Sequence, residues 1–214
     1  MANLNIPSTR DRTLDAFKGK MVGGGARPNL FECELFFPDD AIPTNSSKDE
    51  IADKSRFLVK SAQLPASNIA PILVPFRGRN LKIAGDRTFD PWTITIINDV
   101  DFKIRTAFER WSNVMSSLDD ATGVTNPTSY MTDGYVQQLG RGATAATGTP
   151  SEGETSILRS YKFFDVFPIT VGEIALSYDT TDALEEFDVT FRYQYFTIGN
   201  SAQSSGGSGE VLIT

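Results

Sequence analysis

Of the 214 residues in this chain, none is a histidine. That absence removes Ser-His-Asp and Cys-His catalysis, histidine general-base chemistry and most zinc sites in one step. Cysteine is nearly as scarce. Cys33 stands alone, so no disulfide can form within the chain, and its place between Phe31 and Leu35 reads as a small buried hydrophobe. No window approaches the ~18 consecutive apolar residues of a membrane span. Residues 1–30 hold no apolar run that would serve as a signal peptide. The expectation is a soluble protein without membrane anchor, made in a reducing cytoplasm. Cations are the minority charge, 20 Lys and Arg against 27 Asp and Glu, for a formal charge of −7. A chain of that sign does not wrap nucleic acid by neutralising phosphates, although it can stand beside DNA that it does not grip.

What is present suits one domain with a real core. The hydrophobic share is 40%, and 15 Phe against 2 Trp and 6 Tyr predict a phenylalanine-rich interior. Period-2 alternation predicts strands over 31–37, 57–64, 92–97, 161–171, 173–178 and 185–198, with short strands at 69–76 and 81–84 and a short strand or hairpin within 130–139. Pro71 and Pro75 mark 69–76 as an edge strand. The 38–55 stretch, PDDAIPTNSSKDEIADKS, is polar and rich in turn formers, and reads as a long loop. Residues 1–30 read as an extended or mobile arm, and the Ser/Gly run after Gly199 as a flexible tail. The order is therefore an arm over 1–30, a single β-domain over 31–198, and a tail over 199–214. The pattern predicts a mainly β fold, an antiparallel sandwich or barrel with one α-helix at its edge.

That helix is expected at about 99–118. Ile104, Ala107, Phe108, Trp111, Val114, Met115 and Leu118 fall on one apolar stripe, Asn98 or Asp99 is placed to cap it, and Asp101 suits its first turn. Chemistry has no comparable support. The pairs Asp39-Asp40, Asp119-Asp120 and Glu185-Glu186 are adjacent, so their side chains diverge and form no acid–base dyad. Asp179, Asp182 and Glu185 lack the spacing of a calcium loop. The glycines at 19–25 lack Walker A spacing. Arg77, Arg79, Lys82 and Arg87 make a basic cluster that suits either a phosphate or acidic partners in this or another chain. No catalytic, cofactor-binding or metal-binding residue is predicted.

The run PFRGRNLKIAGDRTFDPWTITIINDVDFKIRTAFERW, continued by YVQQLGRGATAATGT (135–149), LRSYKFFDVFP (158–168) and IALSYDTTDALEEFDVTFRYQYF (174–196), resembles the tail tube proteins of contractile-tailed bacteriophages. The likeness is nearest to the tubes of large myoviruses, including cyanophage-like ones. It implies a β-sandwich with one helix at its open edge, as in type VI secretion tubes. It also implies hexameric rings stacked into a hollow tube, a structural virion component assembled in the host bacterial cytoplasm and through which double-stranded DNA passes without specific binding. The implied partners are the chain itself, the sheath protein, the baseplate or tube initiator, the tail terminator and the tape measure protein. Within that frame Asp39, Asp40, Lys48, Asp49 and Glu50 are candidates for ring stacking. Glu32, Glu34, Asp188, Thr190, Arg192 and Gln194 are candidates to line the lumen. Arg77, Arg79, Arg87, Arg105, Glu109 and Arg110 are candidates for contact with a neighbouring subunit or the sheath. The alternatives are a tube initiator or baseplate ring of the same fold, and a soluble ligand-binding β-sandwich.

Overall fold

Phe163 and Trp92 stack face to face at 4.4 Å between ring centroids, and the fold is built around that contact. The computed structural model describes residues 14–21, 25–140, 157–179 and 181–200. Most of the expected arm (1–13 and 22–24), the Gly-rich run at 141–156 and the tail from 201 onward lie outside the described residues.

Seven strands form one antiparallel sheet: β1 (Phe31–Leu35), β2 (Val59–Ala62), β5 (Trp92–Ile97), β6 (Thr132–Leu139), β7 (Ile157–Val171), β8 (Glu186–Arg192) and β9 (Tyr195–Asn200). Their order is β1-β6-β7-β8-β5-β2, with β9 also on β7. The remaining strands, β3 (Ser67–Phe76) and β4 (Arg79–Phe89), pair only with each other. β7 decides the shape. Its first part pairs with β6 and β9, and its last residues, Phe167 to Val171, pair with β8. Between them Asp165 takes a left-handed backbone (φ 55°), so the strand changes direction there. The sheet thereby folds into two halves, β1-β6-β7-β9 and β7-β8-β5-β2. Trp92 of β5 reaches across from the second half to Phe163 of the first. Cys33, Leu35, Val136, Ile94, Val189 and Phe191 fill the space between.

The helix α3 (Lys103–Met115) closes one side of this core. Its Ile104, Ala107, Phe108 and Trp111 are buried, Phe108 and Trp111 standing against Phe37 at 5.0 and 5.5 Å. Each such side chain contributes roughly 1.5–3 kcal/mol by leaving water. The helix is shorter than the predicted 99–118. Leu118 lies past its end and is exposed. Neither Asn98 nor Asp99 caps it. The capping position is Phe102 in a left-handed conformation (φ 52°), with no side-chain cap. The expected caps are engaged elsewhere: Asn98 Nδ2 donates to Glu185, and Lys54 Nζ donates to Asp99 at 2.6 Å and Asp101 at 3.2 Å.

Five further expectations need correction. The 38–55 loop is in fact a 3₁₀ turn at Asp39–Ala41 followed by the helix α2 (Lys48–Leu58). The reason is legible in Ser47-Lys48-Asp49-Glu50, a capping sequence. Ser47 Oγ accepts from Glu50 N at 3.1 Å, and Ile51, Ala52 and Ser55 make a buried face. Strand 57–64 consequently shrinks to β2, because Phe57 and Leu58 belong to the helix. The arm contains a seven-residue helix, α1 (Leu14–Lys20), with no buried residue. Residues 173–178 alternate but pair with nothing and are coil, and the 185–198 strand breaks at Tyr193-Gln194, since β8 and β9 pair with different parts of β7. A single helical turn, α4 (Pro127–Tyr130), leads into β6 and accepts Trp111 Nε1 on the Tyr130 carbonyl at 2.7 Å.

Candidate assembly surfaces

Two short strands were expected at 69–76 and 81–84; the chain instead builds one long hairpin. β3 and β4 pair from Ser67↔Phe89 to Phe76↔Arg79, around a turn in which Arg77 (φ 44°) and Gly78 (φ 81°) are both left-handed. Such a two-residue turn matches the strand twist and suits glycine at its second position. A bulge between Ile69 and Pro71 bends the root. There a Cβ on Gly85 would lie 2.5 Å from the Ala70 carbonyl oxygen, so only glycine lets the strands approach this closely. Directly paired residues share a face, and so do alternate ones. One face therefore carries Ile72, Val74 and Phe76 with Ile83 and Leu81 opposite. The other mixes Leu73, Pro75 and Pro71 with Lys82 and Asn80. No residue of β3 is buried, and Phe76 is 66% exposed. A contiguous apolar face left in water marks an interaction surface. Arg77 sits over the Phe76 ring at 5.4 Å, Arg79 is opposite Phe76, and Arg87 is opposite Ile69.

The polar faces of the two sheet halves point away from their common core, in opposite directions. On the first half, Glu32 pairs with Arg56 and stands opposite Gln137, while Glu34 stands opposite Tyr135. On the second, Ser61 Oγ donates to Thr95 Oγ1 at 2.9 Å, which donates to Asp188 Oδ1 at 2.7 Å. Thr190 and Thr93 hydroxyls lie 3.1 Å apart, and Lys60 is neutralised by Glu186 at 2.6 Å. Arg192 is exposed on this half, and Gln194 is exposed at the bend after it. The six lumen candidates therefore do not share one face, because β1 and β8 belong to different halves.

The ring-stacking candidates are partly engaged with each other. Lys48 pairs with Asp39 at 2.6 Å, and Asp40 and Asp49 are exposed. Glu50 accepts from Lys103 Nζ at 2.5 Å, and that bond holds its carboxyl below the usual glutamate range. Lys54 does the same for Asp99. Together these residues clamp α2 to the start of α3. On α3 itself, Glu109 and Arg110 are exposed. Arg105 turns inward: Nη1 donates to the Gly172 carbonyl at 2.5 Å, Nε donates to Glu109 at 2.7 Å, and the guanidinium covers the Phe187 ring at 5.1 Å.

A further exposed surface lies apart from these. The coil after β7 leaves Leu176 (78%), Tyr178 and Leu184 in water. The acidic residues between 179 and 188 mark part of it in the sequence as a candidate complement to the basic cluster at 77–87, whereas the alternation of 173–178 pointed to a strand. Among the described residues no group of His, Cys, Asp and Glu is placed to hold a metal. No helix among them is long and apolar enough to cross a membrane.

Known proteins resemble this chain over most of its length. The tail tube protein gp19 of Enterobacteria phage T4 is 28% identical over 174 residues, covering 81% of this chain and 92% of that one. The tail tube protein of Serratia phage KSP90 is 24% identical over 183 residues, covering 85% and 94%. Among solved structures, a chain from the tube-terminating cap of the anti-feeding prophage superposes with a TM-score of 0.54 at 15% identity, covering 82% of this chain and 91% of that one. A chain from the baseplate of the same particle gives 0.53 at 11%, covering 84% and 98%. These two likenesses establish the fold. The family model described as phage tail tube protein matches residues 26–199, and with nearly the whole sheet inside that match, the chain belongs to the phage tail tube protein family.

Proposed function

We propose that this chain forms hexameric rings that stack into the hollow inner tube of a contractile phage tail, the conduit through which double-stranded DNA leaves the virion. Its role is structural, as a tube subunit. The observation that carries the reading is the β3–β4 hairpin, whose apolar face no other described residue covers. A subunit that must bind copies of itself needs such a surface, and a closed or stacked assembly removes it from water. The partners of this reading are the sheath outside, the baseplate or initiator below, the terminator above, and the tape measure protein and DNA within.

For the lumen, the outer face of β2, β5 and β8 is the better candidate. Its hydroxyls and Asp188 satisfy one another and Lys60 is already paired, so among the described residues of this face Arg192 is the cation left to meet passing phosphates. Glu32 and Glu34 then face the sheath side. Asp40 and Asp49, at the start of the α2 region, remain candidates for ring stacking, and Glu109 and Arg110 for contact with a neighbour.

Negative-stain electron microscopy of the purified full chain tests the reading. Hollow filaments of uniform width are expected. Single rings that never lengthen would instead indicate an initiator or baseplate ring of the same fold, and a monomer at every concentration would contradict self-assembly.

A further inference from the structure

We infer that the apolar face of the β3–β4 hairpin of one copy seats on the coil segments 173–179 and 181–185 of a second copy. The inference rests on the tube reading only in taking the second copy to be another subunit.

Both surfaces are incomplete in the isolated chain. The hairpin presents Val74, Phe76 and Leu81 to water, and the coil presents Leu176, Tyr178 and Leu184. Their charges are opposite. Residues 67–89 carry Arg77, Arg79, Lys82 and Arg87 against Asp86, four minus one for a net +3. The coil segments carry Glu173, Asp179, Asp182 and Glu185 and no Lys or Arg. Among the described residues, ten ion pairs hold charges elsewhere on the surface. None of them involves the four hairpin cations or Glu173, Asp179 and Asp182. Like charges within each surface repel, and the two surfaces together would neutralise.

Reach and edge chemistry favour docking by the face. A strand of ten residues spans about 30 Å, enough for the tip to stand clear of its own body. Pro71 and Pro75 alternate with Leu73, so their protonless nitrogens lie along the free edge of β3. That edge is poorly suited to receive a further strand. Because hairpin and coil are different patches of the same chain, the contact is heterologous, and each copy can give and receive once.

Charge exchange tests the pairing. One variant carries Arg77→Glu and Arg79→Glu, another Asp179→Lys and Asp182→Lys. All four residues are exposed, so circular dichroism should match the wild type. Each variant alone should sediment as an unassembled chain. Their equimolar mixture should assemble, since an acidic hairpin then meets a basic coil, and a basic hairpin an acidic coil. The chain carrying all four changes should assemble alone. Either two-residue variant assembling alone like the wild type would overturn the pairing, as would a mixture that stays unassembled. Both of those results leave the tube reading intact if the wild type still forms filaments. A wild type that never assembles removes both.

Discussion

Trp92 is where the two sheet halves meet. It stacks on Phe163, lies 5.2 Å from Phe191, and donates Nε1–H to the Gln63 carbonyl at 2.9 Å. Trp92→Ala should cost about 3–5 kcal/mol, read as a lower denaturant midpoint at unchanged slope. A second effect at this scale is acid sensitivity. The ammonium groups of Lys54 and Lys103 hold the carboxyls of Asp99 and Glu50 below their ordinary values of 3.8 and 4.5. A carboxyl depressed in the folded state stabilises it above the unfolded pKa, and that contribution is lost as pH falls through the folded one. Melting temperature should therefore hold level near neutrality and fall as the pH drops through and below 4. Lys54→Met should lower it at pH 7, with the difference from wild type shrinking in acid. Both pairs are partly exposed, so added salt should shrink the difference too.

At the scale of elements, α2 depends on its first turn and on one hydroxyl. Ser47→Ala removes the Oγ acceptor for Glu50 N and should cost about 1 kcal/mol, visible as earlier loss of ellipticity at 222 nm. The buried Ser55 Oγ donates to the Ala52 carbonyl at 2.6 Å and accepts from Leu35 N at 3.3 Å, joining helix to strand. The hairpin behaves differently. Replacing its outer part, residues 72–83, by a two-residue turn should leave the core and its melting temperature nearly unchanged while abolishing filaments in electron micrographs. Several elements governed by alternation or by one apolar stripe were legible beforehand, although 173–178 alternates and forms no strand. Cys33 and Leu35, the Trp92–Ile96 series, Phe187–Val189–Phe191 and the stripe residues Ile104, Ala107, Phe108 and Trp111 of α3 all fall where periodicity put them. What composition hid was α2, where a polar surface masked a Ser-x-x-Glu cap and a narrow buried face. Pairing partners were hidden too. The break at Tyr193 exists because β8 and β9 meet different parts of β7, and no local pattern encodes that. The face on which a residue lies was readable; the direction in which that face points was not, as Glu34 and Asp188 illustrate.

For the whole molecule, composition is consistent with a tube subunit. No side chain offers histidine chemistry, the single thiol is buried, and the formal charge of −7 disfavours a tight hold on DNA. The free edges along β1 and β2, and the hairpin standing off the sheet, are liabilities in a monomer and joints in a polymer. Burial raises the Cys33 thiol far above its ordinary range, so it gives almost no background to thiol reagents. This permits a direct measurement of the central claim, that the apolar face of the hairpin is covered in the assembly. An Ile72→Cys chain would be exposed to a maleimide before and after assembly. The account predicts rapid labelling of the unassembled chain and strong protection in filaments, whereas equal labelling of both would contradict it.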